Sequence, residues 1–258
     1  MNSLFKKLKL KAANLSELER TFLEDVMAQP ELFITSTIDA VAKRLFISTA
    51  TISRCCKQLE FAGYQQFKFA VAQALEHETE LVVDVKTESL TSQAERIERE
   101  INATITNLSA NKVAAAVSHI MASRSIEFFG VGASLPLCLE ASRKLTFAGK
   151  LSSARSDWDE LEIVSQRLTS ADLAIIISYS GETEHVVRYA TALNERHVPI
   201  ISLIGNANSS LEKRSVVTLR AHVTNAYYGE LDMTSRIPFH VILELVLLEY
   251  LKATGVER

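Results

Sequence analysis

Residues 171–205, ADLAIIISYSGETEHVVRYATALNERHVPIISLIG, decide the fold of most of the chain. The stretch opens with one apolar run, LAIIIS (173–178), and closes with another, PIISLIG (199–205), separated by a helical pattern of the length a βαβ crossover needs. Runs this apolar suit strands buried on both faces, so a mostly parallel sheet sandwiched by helices is predicted. Outward from it, SIEFFG (125–130), LSSA (151–154) and VVTLR (216–220) are further β-rich runs, with helical segments between most of them. The segment IPFHVILELVLLEYLKA (237–253) is apolar almost all round and reads as a helix buried in its own core or against a partner subunit.

Toward the N-terminus the character changes. Residues 95–122 read as one long helical pattern, and residues 76–95, EHETELVVDVKTESLTSQAE, as a polar connector with one short apolar run. Residues 16–75 are helical throughout. Ser16 with Glu19 forms a capping box opening a first helix closed by Pro30, with Leu18, Phe22, Leu23 and Val26 on one face. Thr37 caps IDAVAKRL (38–45) and Ser48 caps TATISRCCKQLE (49–60), a helix-turn-helix pattern with Phe46 and Ile47 between. The expected organisation is an all-α helix-turn-helix head (1–77), a linker (78–94) and an α/β body (95–258).

Composition bounds the function classes. The 258 residues are 47% hydrophobic and 23% charged, with 4 Pro and 8 Gly, which excludes global disorder. No apolar run reaches the roughly 18 residues of a membrane span, and MNSLFKKLKLKAANL lacks the apolar core of a secretory signal, so a cytoplasmic location is expected. Cys55, Cys56 and Cys138 give neither a disulfide framework nor metal-ligand spacing and are read as reduced thiols. No cofactor or metal is expected. Residues 1–75 hold 10 basic against 7 acidic side chains, leaving 18 basic and 24 acidic in the rest. A basic head on an acidic body suits a nucleic-acid-binding module, although solvated faces reach such a difference by chance.

In a helix-turn-helix the second helix enters the major groove with its N-terminal residues toward base edges. Here those are Ser48, Thr49, Ala50, Thr51 and Ser53, small enough for close approach; Arg54 reaches a guanine edge or a phosphate, and Lys57 a phosphate. Ala42, Leu45, Ile47, Ile52 and Leu59 supply the apolar contacts that set the interhelical angle. A helical hairpin without a DNA role shares this spacing. The stretch STIDAVAKRLFISTATISRCCKQLEFAGYQQFK (36–68) resembles the DNA-binding domain of the RpiR family of bacterial transcription regulators, a likeness covering about residues 15–75. It rests on Ser48, Thr51, Ile52, Arg54, Leu59, Phe61, Gly63, Tyr64, Phe67 and Lys68. Glu60 stands where the family usually has glycine, which removes the low-cost left-handed helix cap. Cys55 and Cys56 replace an aromatic and a polar residue; Cys55 reads as a small core filler, with a thiol redox sensor as the alternative.

Two strands of the body end in chemically suggestive loops. FFGVGAS places Gly130, Gly132, Ala133 and Ser134 between strand and helix, and IISYSGET places Ser178, Tyr179, Ser180, Gly181, Glu182 and Thr183 likewise. Carboxyl ends of strands are where open α/β sheets bind ligands, and a helix N-terminus there offers free N–H groups to an anion. Glycines admit the backbone, and the hydroxyls of Ser134, Ser178, Ser180 and Thr183 are donors for phosphate oxygens. Gly-x-Gly-x-Ser alone is also a plain tight turn, and Leu135 at the third glycine position breaks the dinucleotide fingerprint. The second loop is similar to the signature of the SIS domain, a phosphosugar-binding α/β fold of sugar isomerases and RpiR-type regulators, over about residues 93–251. The resemblance implies a sugar phosphate held by Ser134, Ser178, Ser180 and Thr183 with backbone from Gly181, and Tyr179 and Glu182 toward the sugar. It also makes Thr234-Ser235-Arg236-Ile237 the closing motif, with Arg236 facing ligand or a neighbouring subunit.

The same domain supports aldose-ketose isomerases, so an enzyme is the alternative. Isomerisation needs a base between adjacent carbons; the candidates are His185 beside Glu184, and His240 with Glu244 at the i, i+4 spacing. A histidine on so apolar a helix is more often a packing residue, and an isomerase has no use for a DNA-binding head. The expectation is therefore a non-enzymatic regulator of carbohydrate metabolism, a repressor, with no catalytic residues. It would act as a homodimer or homotetramer on palindromic operator DNA under control of a sugar phosphate.

Overall fold

The computed structural model describes residues 8, 11–12, 15–78 and 82–255. The chain divides into two compact units, Met1–Val82 and Val83–Arg258.

Residues 15–78 of the first unit fold into the helices α1 (Glu17–Ala28), α2 (Pro30–Thr35), α3 (Ile38–Leu45), α4 (Thr49–Gln58) and α5 (Tyr64–Glu78). The capping box forms as the sequence predicts, with the Ser16 amide and hydroxyl both donating to Glu19 Oε2. Pro30 does not simply close α1; it occupies the first turn of α2, where its missing N–H costs nothing. Phe22, Phe33 and Phe67 meet edge-on or tilted at 5.4–6.0 Å in the centre of the core, joined by Val41, Ile52, Cys55 and Val71. Leu18 departs from the expected apolar face and is 55% exposed.

Strand β1 (Val82–Asp84) spans the boundary between the units and is followed by the paired helices α6 (Leu90–Asn107) and α7 (Ala110–Ala122), so residues 78–94, read as a linker, carry the end of α5, a strand and the start of α6. The expected single helix over 95–122 is broken at Leu108, where Ser109 caps α7 by accepting from the Lys112 amide. There follow β2 (Ile126–Phe129), α8 (Leu135–Phe147), β3 (Ser152–Ala154), α9 (Trp158–Ser165), β4 (Leu173–Ser178), α10 (Glu184–Glu195), β5 (Ile200–Ile204), β6 (Val217–Arg220), β7 (Asn225–Tyr228), β8 (Leu231–Asp232) and α11 (Ile237–Thr254).

Five strands form one parallel sheet in the order β3-β2-β4-β5-β6. Alternate residues of its strands face two cores. Ile126, Phe128, Ile175 and Leu203 pack against α7, α8 and α11, whereas Phe129, Ala174, Ile176 and Ile204 pack against α9 and α10. The architecture is thus an α/β/α sandwich, as the doubly apolar strand runs require. From β2 the chain goes to β3 on one side and then to β4 on the other, so the order of connection reverses between β2 and β4. That reversal is a topological switch point, and it places the β2 and β4 carboxyl ends side by side. A small second sheet, β1-β7-β8, lies outside this sandwich. Among the described residues no helix is long and apolar enough to cross a membrane.

Candidate functional site

In the first unit, Phe46 turns the chain between α3 and α4 through a left-handed conformation (φ 55°), and Ser48 caps α4 by accepting from the Thr51 amide. Of the residues predicted to face DNA, Ser48, Ala50, Arg54 and Lys57 are exposed, and Thr49 and Ser53 are half-buried. Ala50, Ser53, Arg54 and Lys57 fall on one helical face. Thr51 does not join them: it is buried and its hydroxyl meets that of Ser48 at 2.9 Å, because the cap turns it inward. Arg54 is exposed but tied, its Nε donating to Glu19 Oε1 at 2.9 Å. Burial would raise the Glu19 carboxyl, but the Ser16 hydroxyl and amide and the Arg54 guanidinium together hold it below its ordinary value. Cys55 and Cys56 are fully buried and burial pushes both thiols up to about 12, which leaves them as neutral core fillers rather than reactive thiolates.

In the second unit the two predicted loops leave adjacent strands, with Phe129 of β2 in register with Ile176 of β4. The first turns through Gly132 (φ 55°) in a short 3₁₀ turn, Gly132–Ser134, that runs into α8; Gly132 and Ala133 are exposed and Ser134 is buried. Ser134 stands at the N-cap of α8, and its hydroxyl makes no capping hydrogen bond there. Gly130 is close-packed, since a Cβ there would lie 2.5 Å from Cys138 Sγ.

The second loop is held by its own hydroxyls. Ser178 Oγ accepts from the Gly181 amide and Ser180 Oγ from the Glu182 amide, so each keeps its O–H free to donate. Thr183 sits at the N-cap of α10 without capping it, leaving that hydroxyl and the first helical N–H groups available. Gly181 needs its left-handed φ of 65°, and a Cβ there would come 2.6 Å from Ser209 Cβ. The loop after β5 is therefore a wall of the site. Ser209 backs Gly181, the Asn206 and Gly205 amides donate to the Tyr179 carbonyl, and the Ser210 amide donates to Glu182 Oε1. Sequence reading passed over NANSS (206–210), which has the composition of any turn.

Tyr179 and Glu182 thus have their side chains engaged with neighbouring segments. The Tyr179 hydroxyl donates to Asn225 Oδ1 at 2.8 Å, and the Arg236 guanidinium lies over its ring, 5.2 Å from the centroid. Arg236 is anchored in turn by the Thr234 carbonyl and Asp232. No lysine or arginine lies within either loop, so the donors converging there are hydroxyls, amides and two helix N-termini. Such a set suits an oxyanion that also needs neutral polar contacts. His185, a candidate base, stacks edge-on against Trp158 at 4.3 Å and contacts Arg188, and His240 lies between α8 and α11 with Glu140 and Glu244.

Comparison with known proteins agrees with this division. The helix-turn-helix domain of the rpiR family matches residues 1–78, and the SIS domain matches residues 119–249. The HTH-type transcriptional regulator HexR of Pseudomonas aeruginosa is 28% identical over 264 residues, covering 99% of this chain and 90% of that protein. HexR of Escherichia coli is 26% identical over 255 residues, covering 95% of this chain and 86% of that protein. In fold, the Vibrio vulnificus NanR protein complexed with ManNAc-6P superposes with a TM-score of 0.62 at 21% identity, covering 97% of this chain and 92% of that one. A two-unit chain of a helix-turn-helix head and an α/β/α sandwich, matched along its length in this way, belongs to the rpiR family of helix-turn-helix transcriptional regulators and carries its SIS domain.

Proposed function

We propose that a sugar phosphate binds at the carboxyl ends of β2 and β4 and sets the affinity of the helix-turn-helix for operator DNA. The carrying observation is that two hydroxyl-lined turns, each opening a helix, stand side by side at the switch point of the sheet. In this reading Ser134, Ser178, Ser180 and Thr183 donate to the phosphate, with backbone from Gly132, Ala133 and Gly181, and Tyr179 and Glu182 hold the loop in shape. Residues 1–77 act as the DNA-binding domain, with Ala50, Ser53, Arg54 and Lys57 presented to the major groove. Ser48 and Thr49 lie at the helix start, and Thr51 supports the cap. The ManNAc-6P bound to NanR supports the ligand class, since that protein shares the fold.

The regulator works as a homodimer or homotetramer on a palindromic site, and ligand shifts the population of two arrangements by differential affinity, a coupling of typically about 1–3 kcal/mol. Repression relieved by ligand is the sign proposed. The chain is not an enzyme in this reading, because His185 is engaged with Trp158 and Arg188, and His240 with Glu140 and Glu244.

The test is a thermal-shift screen against a panel of sugar phosphates, followed by operator binding with and without each hit. A ligand that binds only the folded chain raises the melting temperature by mass action. No stabilising sugar phosphate, or hits that leave operator affinity unchanged, would refute the reading. Turnover of a hit in an isomerase assay would favour the enzyme instead.

A further inference from the structure

The histidine and glutamate that share a face of α11 meet a third potential ligand from α8. His240 and Glu244 stand four residues apart, one above the other. Glu140 faces them from α8: its Oε2 is 3.4 Å from His240 Nδ1, and Glu244 Oε1 is 3.6 Å from His240 Nε2. One ligand atom from each of the three lies within 4.8 Å of the others. A tetrahedral ion with bonds of about 2.0–2.1 Å needs ligand atoms roughly 3.4 Å apart; the two carboxylates approach opposite ring nitrogens, so one of these two part-exposed side chains has to swing to the other nitrogen to close the set.

Two carboxylates facing each other across a helix pair need a cation, and Lys144 supplies one. Its ammonium is 2.8 Å from Glu140 Oε1 and also touches Glu244 Oε1. The four groups line a shallow, half-open groove together with Leu137 and Leu243. The Lys144 side chain is 40% exposed on a flexible stem and is free to rotate into water. An ammonium leaves the imidazole lone pair unused, whereas a metal ion engages it together with both carboxylates.

We propose that Glu140, His240 and Glu244 bind a divalent transition-metal ion of the zinc class, with Lys144 as the built-in competitor that occupies the site in its absence. One imidazole nitrogen with two carboxylate oxygens suits zinc or cobalt, not magnesium or calcium, which take all-oxygen shells of higher coordination number. None of the three residues is among those assigned to the phosphate turns or to α4. Sequence reading singled out the His240–Glu244 pair only as a base candidate, because Glu140 lies far away along the chain.

The full chain, free of affinity tag and stripped with chelator, is titrated with Co²⁺ alone and with Zn²⁺ alone, by calorimetry and by visible absorption of the cobalt form. One ion per chain is expected, with an intense tetrahedral cobalt band that Zn²⁺ abolishes and Mg²⁺ leaves unchanged. Lys144→Ala is expected to bind at least ten-fold tighter, and Glu140→Gln or His240→Ala at least ten-fold weaker. His240→Gln serves where His240→Ala melts early. Absence of saturable binding by the wild-type chain, including binding seen only with Lys144→Ala, overturns the proposal, as does affinity that is unchanged in both His240 variants.

Discussion

Arg54 Nε donates to Glu19 Oε1 at 2.9 Å, so an exposed cation of α4 is tethered to a carboxylate that is 2% exposed and belongs to the cap of α1. The tether engages Nε, and among the described residues the two terminal amino groups, a pair able to read guanine O6 and N7, make no hydrogen bond. Arg54→Ala is expected to weaken operator binding while leaving sugar-phosphate binding intact, with a stability loss of about 1 kcal/mol from the uncompensated Glu19. Equal operator affinity at matched salt would sink the assigned contact. Because Glu19 titrates below its ordinary 4.5 in the folded head, its contribution is present above about pH 4.5 and is lost as pH falls through the lowered value. Glu19→Gln should flatten that acid limb in a pH series of melts.

The phosphate turn offers a cleaner separation. Ser180→Ala with Thr183→Ala should abolish the ligand response in operator binding and leave unliganded operator affinity unchanged. Gly181→Ala combines a left-handed backbone with a Cβ 2.6 Å from Ser209 Cβ, and is expected to cost about 2 kcal/mol as well as the response. A normal ligand response in either variant would remove the turn from the binding site.

Asp172, at the entrance to β4, gives the second unit its own acid sensitivity. Burial would raise this carboxyl, but Arg124, Ser125 and the amide and hydroxyl of Thr169 bring it down to about 2. The folded value lies below the unfolded one near 3.8, so its stabilisation, on the order of 2 kcal/mol, is complete above about pH 4 and lost between there and pH 2. Asp172→Asn should destabilise the protein at neutral pH and lose that part of the pH dependence. Identical acid unfolding curves for the two proteins would contradict the assignment.

Glu60 follows α4 in a left-handed conformation, with φ of 71°. A side chain there costs about 1 kcal/mol more than glycine, and the exposed pair with Lys11 returns little. Glu60→Gly is expected to stabilise the head by about that amount in denaturant unfolding; a lowered midpoint would show that the Lys11 contact matters more than the backbone.

Much of this was legible in the sequence, for identifiable reasons. The three central strands of the main sheet, β2, β4 and β5, stand where the apolar runs place them, because burial on both faces leaves no polar alternation to confuse the reading. The strands β1, β7 and β8 were missed, since NAYY and LD are short, half-exposed and no more apolar than a loop. The break between α6 and α7 carries neither glycine nor proline, only the capping Ser109. The family's glycine at position 60 is absent, yet the left-handed turn persists on glutamate, so local geometry there is imposed by packing rather than by residue preference. In the candidate site the hydroxyls could be named in advance. Their roles could not, because which serine accepts from which amide, and which way Tyr179 and Thr51 turn, depends on neighbours distant in sequence.

Tyr179 sits inside the phosphate turn yet is bonded to Asn225 and roofed by Arg236, one residue before α11 begins. A Cβ at Gly205 would collide with its ring at 2.6 Å, so the ring has no slack on that side either. The turn therefore cannot reshape around a guest without either snapping the tyrosine's tether or dragging the base of the last helix along. On the proposed function, a single aromatic rivet would make recognition of the ligand and motion of the chain's final helix one mechanical event.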